Sequence, residues 1–322
     1  MTIQLDRWPL PGTAPQKEQP GPTPTGHSKR KTEVTKNENG GQSRPEYPIL
    51  QKSYRRRLRG IGGGWLVSII ANQSEFLENQ TMLGSLIGDI VGSAYEFSNF
   101  KGKDFAPLFH PKARFTDDTV CTVAVADALT RGSHPQASLI EWCKRYAENG
   151  GWGKRFAEWF LDDNPHPYGS WGNGAAMRIA PVGLLASNED EVIGWSDTVS
   201  AITHNHPDAM HTAQAVALAI FWARRQVPAA DIGLRLTDRF GYPLHLTPDD
   251  IRPTYKRTEK AIDSVPQAIS CALHANSFED AIRNAVSLGG DSDTIAAIAG
   301  GISEALHGIP KNIAVQAWSY LP

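Results

Sequence analysis

The sequence predicts an all-α protein, and three observations support that prediction. Beyond residue 81, apolar residues recur at the spacing of amphipathic helices in one segment after another. Segments rich in Gly, Pro, Asn and Asp separate these patterns, and the apolar–polar alternation of strands is scarce. Small residues are frequent in the apolar segments, which allows helices to pack closely. We therefore expect a compact orthogonal bundle of roughly ten or more helices.

Nine segments have the helical pattern. In chain order they read MLGSLIGDIVGSAYEF, TVCTVAVADALTRG, SLIEWCKRYAENGG, GAAMRIAPVGLLAS, EVIGWSDTVSAITH, DAMHTAQAVALAIFWARRQ, AISCALHAN, FEDAIRNAVSLGG and TIAAIAGGISEALHGI. The breakers between them include NGG, DDNPHPYGSWGNG, HNHPD and GYPLHLTPDDIRP. No repeat of fixed period is present, and we expect one domain over residues 81–322.

Residues 1–80 differ in composition from the rest of the chain. Stretches such as PGTAPQKEQPGPTPTG and KNENGGQSRPEYP are rich in Pro, Gly and polar residues. Such a composition buries too little apolar surface to offset the entropy of ordering, so we expect a flexible extension. Within it, residues 53–71 join a basic cluster to a short apolar run and could dock on the domain or on a partner.

Charge and composition exclude several classes of protein. Residues 1–60 carry 12 Lys/Arg against 5 Asp/Glu, a net of +7, which leaves 20 against 29, or −9, for the remaining residues. The total of −2 argues against a nucleic-acid partner. The apolar run WLVSIIA is far shorter than the roughly 20 residues of a membrane helix, and it lies too deep in the chain for a secretory signal. Three cysteines without zinc-type spacing indicate the reducing cytoplasm.

The segment RFTDDT places Asp117 and Asp118 directly before an apolar helical pattern. Thr116 is the predicted N-cap, and in one interpretation both aspartates only complement the helix dipole. A second acidic cluster argues against this interpretation. The segment LGGDSDT places Asp291 and Asp293 before another apolar helix, and it too ends in a threonine.

If these two helices pack side by side, four carboxylates and two threonine hydroxyls come together. Burying that many like charges is very costly unless cations neutralise them. Oxygen ligands favour hard ions such as Mg²⁺, Mn²⁺ or Ca²⁺ over zinc, and the glycines before the second cluster allow close approach of the backbone. The residues therefore predict a metal site, with two ions about 3.5–4 Å apart.

Five ordered blocks resemble the ADP-ribosylglycohydrolase family, which includes the dinitrogenase-reductase-activating glycohydrolases and the ADP-ribosyl-acceptor hydrolases. The blocks are GSLIGDIVGSAYEF, RFTDDT, YGSWGNGAAMRIAPVGLL, THNHPDA and GGDSDTIAAIAGGI. The resemblance implies an all-α body that binds two Mg²⁺ or Mn²⁺ ions through an early Thr-Asp-Asp and a late Asp-x-Asp-Thr. In this sequence the matching residues are Thr116, Asp117, Asp118, Asp291, Asp293 and Thr294.

The resemblance also implies a reaction. The ions would hold the diol of the ribose whose anomeric carbon is attacked, and nearby carboxylates would stabilise the oxocarbenium character that develops there. We expect Asp118 and Asp291 to act in this way. Glu96 matches the family's flexible glutamate beside the metals and is assigned proton transfer or water positioning. Without the resemblance, Glu96 would be taken for an ordinary glutamate at a helix end. Asp89 is expected to be structural.

The glycine-rich loop GSWGNG precedes a helix, so its backbone N–H groups could face an anion, although such loops are often only turns. By resemblance, this loop holds the diphosphate and the adjacent ribose. Trp171 could stack on the ligand or pack in the core. His204 matches the family's histidine near the phosphates or distal ribose, whereas His206 and His211 lack that support and HNHP suits no common zinc motif. The predicted ligand-binding residues are Ser170, Trp171, Gly172, Asn173, Gly174 and His204.

Three functional hypotheses follow. The leading one is a hydrolase that removes ADP-ribose from a modified protein side chain, with arginine as the expected acceptor. The alternative is an immunity-type protein that blocks an ADP-ribosyltransferase toxin through the N-terminal extension, with or without hydrolase activity. The third, a catalytically silent relative like the crystallin-type members, is disfavoured by the intact metal motifs. A dinucleotide-dependent dehydrogenase is excluded because no GxGxxG motif follows a strand.

Overall fold

The computed structural model describes residues 82–149 and 151–322, and it confirms the all-α class. The predicted extension and its segment at 53–71 lie outside the described residues. Within the described part, the chain forms fourteen α-helices and a 3-10 helix (Ala147–Asn149), and strand-type pairing is limited to an isolated bridge between Gly172 and Lys260. The helices are α1 (Leu83–Ser93), α2 (Asp117–Arg131), α3 (Pro135–Arg145), α4 (Lys154–Leu161), α5 (Gly174–Met177), α6 (Ala180–Leu185), α7 (Glu189–Ala201), α8 (Pro207–Ala223), α9 (Ala229–Phe240), α10 (Pro248–Ile251), α11 (Ala261–Leu273), α12 (Phe278–Ser287), α13 (Ser292–His307) and α14 (Lys311–Trp318).

Every segment predicted to be helical contains a helix, but the sequence patterns missed α4, α9, α10 and α14. Helix α9 buries only Ile232 and Leu236, and α14 buries only Ile313 and Ala317. A stripe of two buried residues is too narrow to stand out from a polar surface segment. Helix α10 is a single turn. The interior forms around α8 and α13, whose residues are mostly buried.

Close packing of α1 against α13 organises the centre of the domain. Three glycines, one helical turn apart, line the face of α1 that contacts α13. A Cβ atom at Gly84 would lie 2.4 Å from the carbonyl oxygen of Gly300, and one at Gly92 would lie 2.3 Å from that of Ser292. At Gly88, between them, the distance to an α13 carbonyl oxygen would be only 1.9 Å. No side chain fits there, so the two backbones touch directly.

The order of these contacts shows that α1 and α13 run antiparallel, because the first glycine of α1 meets the later part of α13. The end of α1 therefore lies beside the beginning of α13. Glu96 follows α1 closely, and Asp291 and Asp293 stand at the start of α13. Carboxylates that are nearly 200 residues apart in the chain thus become neighbours.

Asp89 on α1 fixes the position of α2. Its fully buried carboxylate accepts hydrogen bonds from the N–H and the hydroxyl of Thr116, at 2.8 and 2.7 Å, and from both corresponding groups of Thr119. Thr116 is the N-cap, as predicted, because its Oγ1 accepts from the N–H of Asp118 at 3.3 Å. These bonds hold the first turn of α2, with Asp117 and Asp118, against α1.

The three cysteines of the chain all lie in its described part. Cys121, Cys143 and Cys271 are buried and form no disulfide. Among the residues that the structure describes, no helix has both the length and the apolar character needed to cross a bilayer.

We predict that Gly88→Ala lowers the free energy of unfolding by about 3 kcal/mol, the upper range for overpacking. The added Cβ would lie 1.9 Å from the carbonyl oxygen of Ala296, so α1 and α13 must separate. Urea unfolding followed by circular dichroism measures the change. The matched control is Gly233→Ala on α9, where the Cβ would lie 3.6 Å from a methyl carbon of Leu273. This control should gain up to about 1 kcal/mol from helix propensity. Equal stability of both variants would disprove the close contact.

Candidate active site

A pocket of about 490 Å³ opens where α1, α2, α5 and α13 approach one another. It collects nearly all residues that the sequence analysis selected, from five separate parts of the chain. Of the thirteen selected residues, Thr116 alone does not line it. Those that do are Glu96, Asp117, Asp118, Ser170, Trp171, Gly172, Asn173, Gly174, His204, Asp291, Asp293 and Thr294.

Three carboxylates form the tightest group in the pocket. One oxygen from each of Glu96, Asp291 and Asp293 lies within 4.8 Å of the other two. Both aspartates are buried, and Glu96 is half-buried. This group includes Glu96, which was assigned to proton transfer, and it does not include Asp117 or Asp118, two of the predicted metal ligands.

Burial of the aspartates that line the pocket is electrostatically unfavourable. Loss of solvation raises the pKa of Asp118 well above its ordinary value, and the charges of Asp293 and Asp117 raise it further. The pKa of Asp293 is raised well above its ordinary value by burial first and by the neighbouring Asp291 second. Burial also raises the pKa of Asp291, from 3.8 to about 6. The pKa of Asp291 stays raised although the charge of Arg257 lowers it, so the described side chains compensate this cluster only in part.

The donor groups fit a hard divalent cation. Every candidate ligand atom is an oxygen, which suits Mg²⁺, Mn²⁺ or Ca²⁺. The Oδ2 atom of Asp118 is buried and has no hydrogen-bond partner among the described residues. An oxygen of this kind is costly to bury unless it has a partner, and a cation would serve as that partner.

Thr116 begins one predicted metal motif and Thr294 ends the other, and the two threonines differ in position. Thr294 lines the pocket, whereas Thr116 lies behind Asp118. The hydroxyl of Thr116 donates to Asp89 and accepts from the N–H of Asp118, which leaves one lone pair unused. Thr116 therefore supports the first turn of α2, and its function as a ligand stays a prediction.

The glycine-rich loop is held by hydrogen bonds within the protein. The N–H of Asn173 donates to the carbonyl oxygen of Glu259 at 2.9 Å, and the N–H of Ser170 donates to that of Thr203 at 3.3 Å. The N–H of Gly172 donates to the hydroxyl of Ser170. The loop thus offers fewer free N–H groups to an anion than the sequence analysis assumed.

Asn173 joins this loop to the acidic cluster. Its side-chain amide is buried and donates to Oδ2 of Asp291 at 2.6 Å. Asn173 was expected to hold the diphosphate, but its described contact orients a carboxylate. Trp171 does not pack in the core, because its side chain is 48% exposed at the pocket. It is therefore available for stacking on a ligand.

His204 is the one histidine of the HNHP motif that lines the pocket. It is buried, with Nδ1 at 2.6 Å from the hydroxyl of Thr203. Burial and the charge of Arg178 lower its pKa well below the ordinary value, so the ring is neutral at neutral pH. His206 instead caps α8, since its side chain accepts from the N–H of Asp208.

Arg257 is a pocket residue that the sequence analysis missed. One guanidinium nitrogen lies 2.9 Å from Oε1 of Glu96, and the group stacks on the exposed ring of Phe97, 4.7 Å from its centroid. Arg257 lies in the loop between α10 and α11, where no motif marks it. Arg178 was missed as well, although an arginine within the apolar segment GAAMRIAPVGLL is a visible signal.

The all-α fold and the acidic pocket agree with the class that the five sequence blocks resemble, a helical glycohydrolase. Residues 79–318 match the family model described as ADP-ribosylglycohydrolase. The chain belongs to the ADP-ribosylglycohydrolase family, and this supports a hydrolase of ADP-ribosyl linkages.

The chain is also similar to named relatives. It is 26% identical to the ADP-ribosylarginine hydrolase Tri1 of Pseudomonas putida (strain GB-1), over 74% of this chain and 73% of the relative. It is 26% identical to the ADP-ribosyl-[dinitrogen reductase] glycohydrolase of Rhodospirillum rubrum, over 70% and 84%. Mouse ADP-ribosylhydrolase ARH3 is 25% identical, over 71% and 83%. A solved ADP-ribosylglycohydrolase-related protein complex shares the fold, with a TM-score of 0.57, 23% identity, and coverage of 74% of this chain and 94% of that chain.

The raised carboxylate pKa values predict how the stability depends on pH and on cations. Folded Asp291 binds its proton more tightly than the unfolded chain does, so the free energy of unfolding of cation-free protein should fall as pH rises from 3.8 to about 6. Mg²⁺ should restore stability at neutral pH, by about 2.7 kcal/mol when its concentration is about 100 times Kd. Thermal unfolding with Mg²⁺ or with a chelator, at pH 5 and pH 7.5, measures both effects.

Asp293→Asn serves as the matched control. The amide oxygen still accepts from the N–H of Thr294, a bond of 2.9 Å, but one buried charge is removed. Cation-free Asp293→Asn protein should therefore be more stable than the original at neutral pH and should respond weakly to Mg²⁺. If Mg²⁺ stabilises neither protein, this cluster is not a cation site.

Proposed function

We propose that this protein is a metal-dependent hydrolase that removes ADP-ribose from modified protein side chains, with arginine as the acceptor. The observation that supports the proposal best is the acidic cluster in a pocket that the glycine-rich loop and His204 also line. Such a pocket can hold a sugar at the carboxylates while the rest of a nucleotide extends along the loop.

Two Mg²⁺ or Mn²⁺ ions are the proposed cofactors. Asp117 and Asp118 would hold them from α2, and Asp291, Asp293 and Thr294 would hold them from α13. When bound, the ions supply charge neutralisation and a template for the ribose diol. Asn173 keeps the carboxylate of Asp291 oriented, because its amide donates to one of the two carboxylate oxygens.

Glu96 is the proposed proton-transfer group. Arg257 donates to its Oε1, which fixes the carboxylate at the edge of the cluster. Among the described residues Oε2 receives no hydrogen bond, and it can accept the proton of a water molecule. The water oxygen then bonds to the anomeric carbon, the carbon–nitrogen bond breaks, and the leaving guanidine nitrogen takes up the proton. The developing positive charge on the ribose is stabilised by Asp118 and Asp291.

The arginine linkage is supported by the relatives. Both relatives named Tri1, from Pseudomonas putida (strain GB-1) and Serratia proteamaculans (strain 568), are named ADP-ribosylarginine hydrolases. Their identities to this chain are 26% and 25%, and mouse ARH3, at 25%, carries a name without a stated acceptor. The names of these relatives are thus the support for arginine as the acceptor, and an assay of the two linkages tests it.

The decisive experiment compares arginine-linked with serine-linked ADP-ribosyl protein, with Mg²⁺ and with excess chelator. We expect release of ADP-ribose from arginine, at a rate well above that from serine, and loss of activity in chelator. Asp117→Ala and Asp293→Ala should be inactive, whereas the control Asp238→Ala, on the exposed face of α9, should keep full activity. Faster cleavage of the serine linkage would reject the acceptor. Full turnover in chelator would reject the metal.

Glu96→Gln tests the proton-transfer assignment. The amide keeps the size of the side chain but cannot take a proton, so turnover should fall by roughly 10²-fold or more. Affinity for ADP-ribose should stay within several-fold and is measured by calorimetry beside single-turnover assays. The control is Glu259→Gln, since Glu259 is 70% exposed and lies 3.9 Å from the same arginine. An equal loss of binding and of rate would make Glu96 a ligand contact instead.

The immunity hypothesis stays a prediction. It depends on residues 1–80 and on their charge of opposite sign to the rest of the chain, and these residues lie outside the described part. An ADP-ribosyltransferase toxin as partner and a cytoplasmic location are likewise proposals from the sequence.

A further inference from the structure

A buried arginine, threonine and histidine form a hydrogen-bonded row beside the pocket. Arg178 is fully buried, and its guanidinium donates to the hydroxyl of Thr203 at 2.7 Å. That hydroxyl lies 2.6 Å from Nδ1 of His204. Arg178 and His204 line the pocket, whereas Thr203, which is also fully buried, connects them from behind.

The donors and acceptors of this row are satisfied by one arrangement. A guanidinium can only donate, so Oγ1 of Thr203 is the acceptor from Arg178. The hydroxyl hydrogen then needs an acceptor of its own, and within the described residues Nδ1 of His204 is the one that lies in reach. If Nδ1 carried a hydrogen instead, the hydroxyl hydrogen would be buried without a partner, which is energetically unfavourable.

The ring hydrogen of neutral His204 therefore lies on Nε2. This nitrogen faces the glycine-rich loop, 3.0 Å from the place of a Cβ on Gly174 and 3.8 Å from that of a Cβ on Gly172. Because Gly172 and Gly174 have no Cβ, no side chain of the loop covers Nε2 at these two positions. Both glycines and His204 line the pocket. An acceptor atom in the pocket can thus approach the Nε2 hydrogen.

We propose that Arg178 and Thr203 are positioning residues that fix His204 as an Nε2–H donor toward an oxygen of the bound ligand. The identity of that ligand, ADP-ribose with its diphosphate and ribose oxygens, rests on the proposed function, but the tautomer does not. Arg178 also brings a buried positive charge to this end of the pocket, and its Nε has no partner among the described residues. A negatively charged ligand would offset that charge, whereas a neutral one would not.

The test starts with protein labelled with ¹⁵N in its histidines and free of ligand. The His204 signals are assigned by comparison with His204→Gln, and the two-bond proton–nitrogen pattern then identifies the protonated ring nitrogen. We expect Nε2–H in the original protein and in Thr203→Ser, which keeps the hydroxyl, and a mixture of tautomers in Thr203→Val, which removes it. The control is Thr212→Val, a fully buried threonine whose hydroxyl donates only to carbonyl groups of its own helix, α8.

Titration with free ADP-ribose provides the second measurement. Thr203→Val should weaken binding about tenfold, the equivalent of one hydrogen bond, while Thr203→Ser and Thr212→Val should bind like the original protein. An Nδ1–H or doubly protonated His204 in the original protein would overturn the proposal, even if Thr203→Val does not fold. So would Thr203→Val protein that binds as tightly as the original. If the original protein does not bind ADP-ribose at all, the proposed function fails, and the NMR result still decides the tautomer.

Discussion

The direct contact between the backbones of α1 and α13 is the constraint on which the site depends. Glycines at three successive turns of α1 let it approach α13 so closely that no Cβ would fit between them. Since the helices are antiparallel, the end of one lies beside the start of the other, and Glu96 comes within reach of Asp291 and Asp293. A wider helix spacing, as between ordinary leucine-faced helices, would separate these carboxylates.

The same contact creates an electrostatic problem that defines the chemistry of the pocket. Acidic side chains from α2 and α13 are buried together, and burial raises their pKa values. Proteins rarely bury like charges without compensation, because desolvation outweighs any other gain. Every oxygen of this group could serve as a ligand to a hard divalent cation, and in the proposed function bound cations supply the compensation. The side-chain amide of Asn173 orients the carboxylate of Asp291, and the bonds that Thr116 and Thr119 donate to Asp89 hold the first turn of α2.

The sequence predicted the fold class, and all but one of the residues selected from it line one pocket, for identifiable reasons. Broad apolar faces, as in α8 and α13, give a clear helical period, whereas α9 and α14 bury two residues each and were missed. Thr116, Asp117 and Asp118 could be recognised because an N-cap and adjacent carboxylates have strong local signatures. Arg257 could not, since a basic residue in a polar loop has no local property that places it beside Glu96.

The sequence by itself determined which groups are present: two acidic clusters at helix starts, a glycine-rich loop, and the histidine His204. These are local features, because capping, helical period and backbone freedom depend on residues close together in the chain. Only the tertiary structure decided which groups meet. The pairing of Asn173 with Asp291, the contact of Arg257 with Glu96, and the row that orients His204 join distant segments. Such contacts arise from helix packing, which no local pattern specifies.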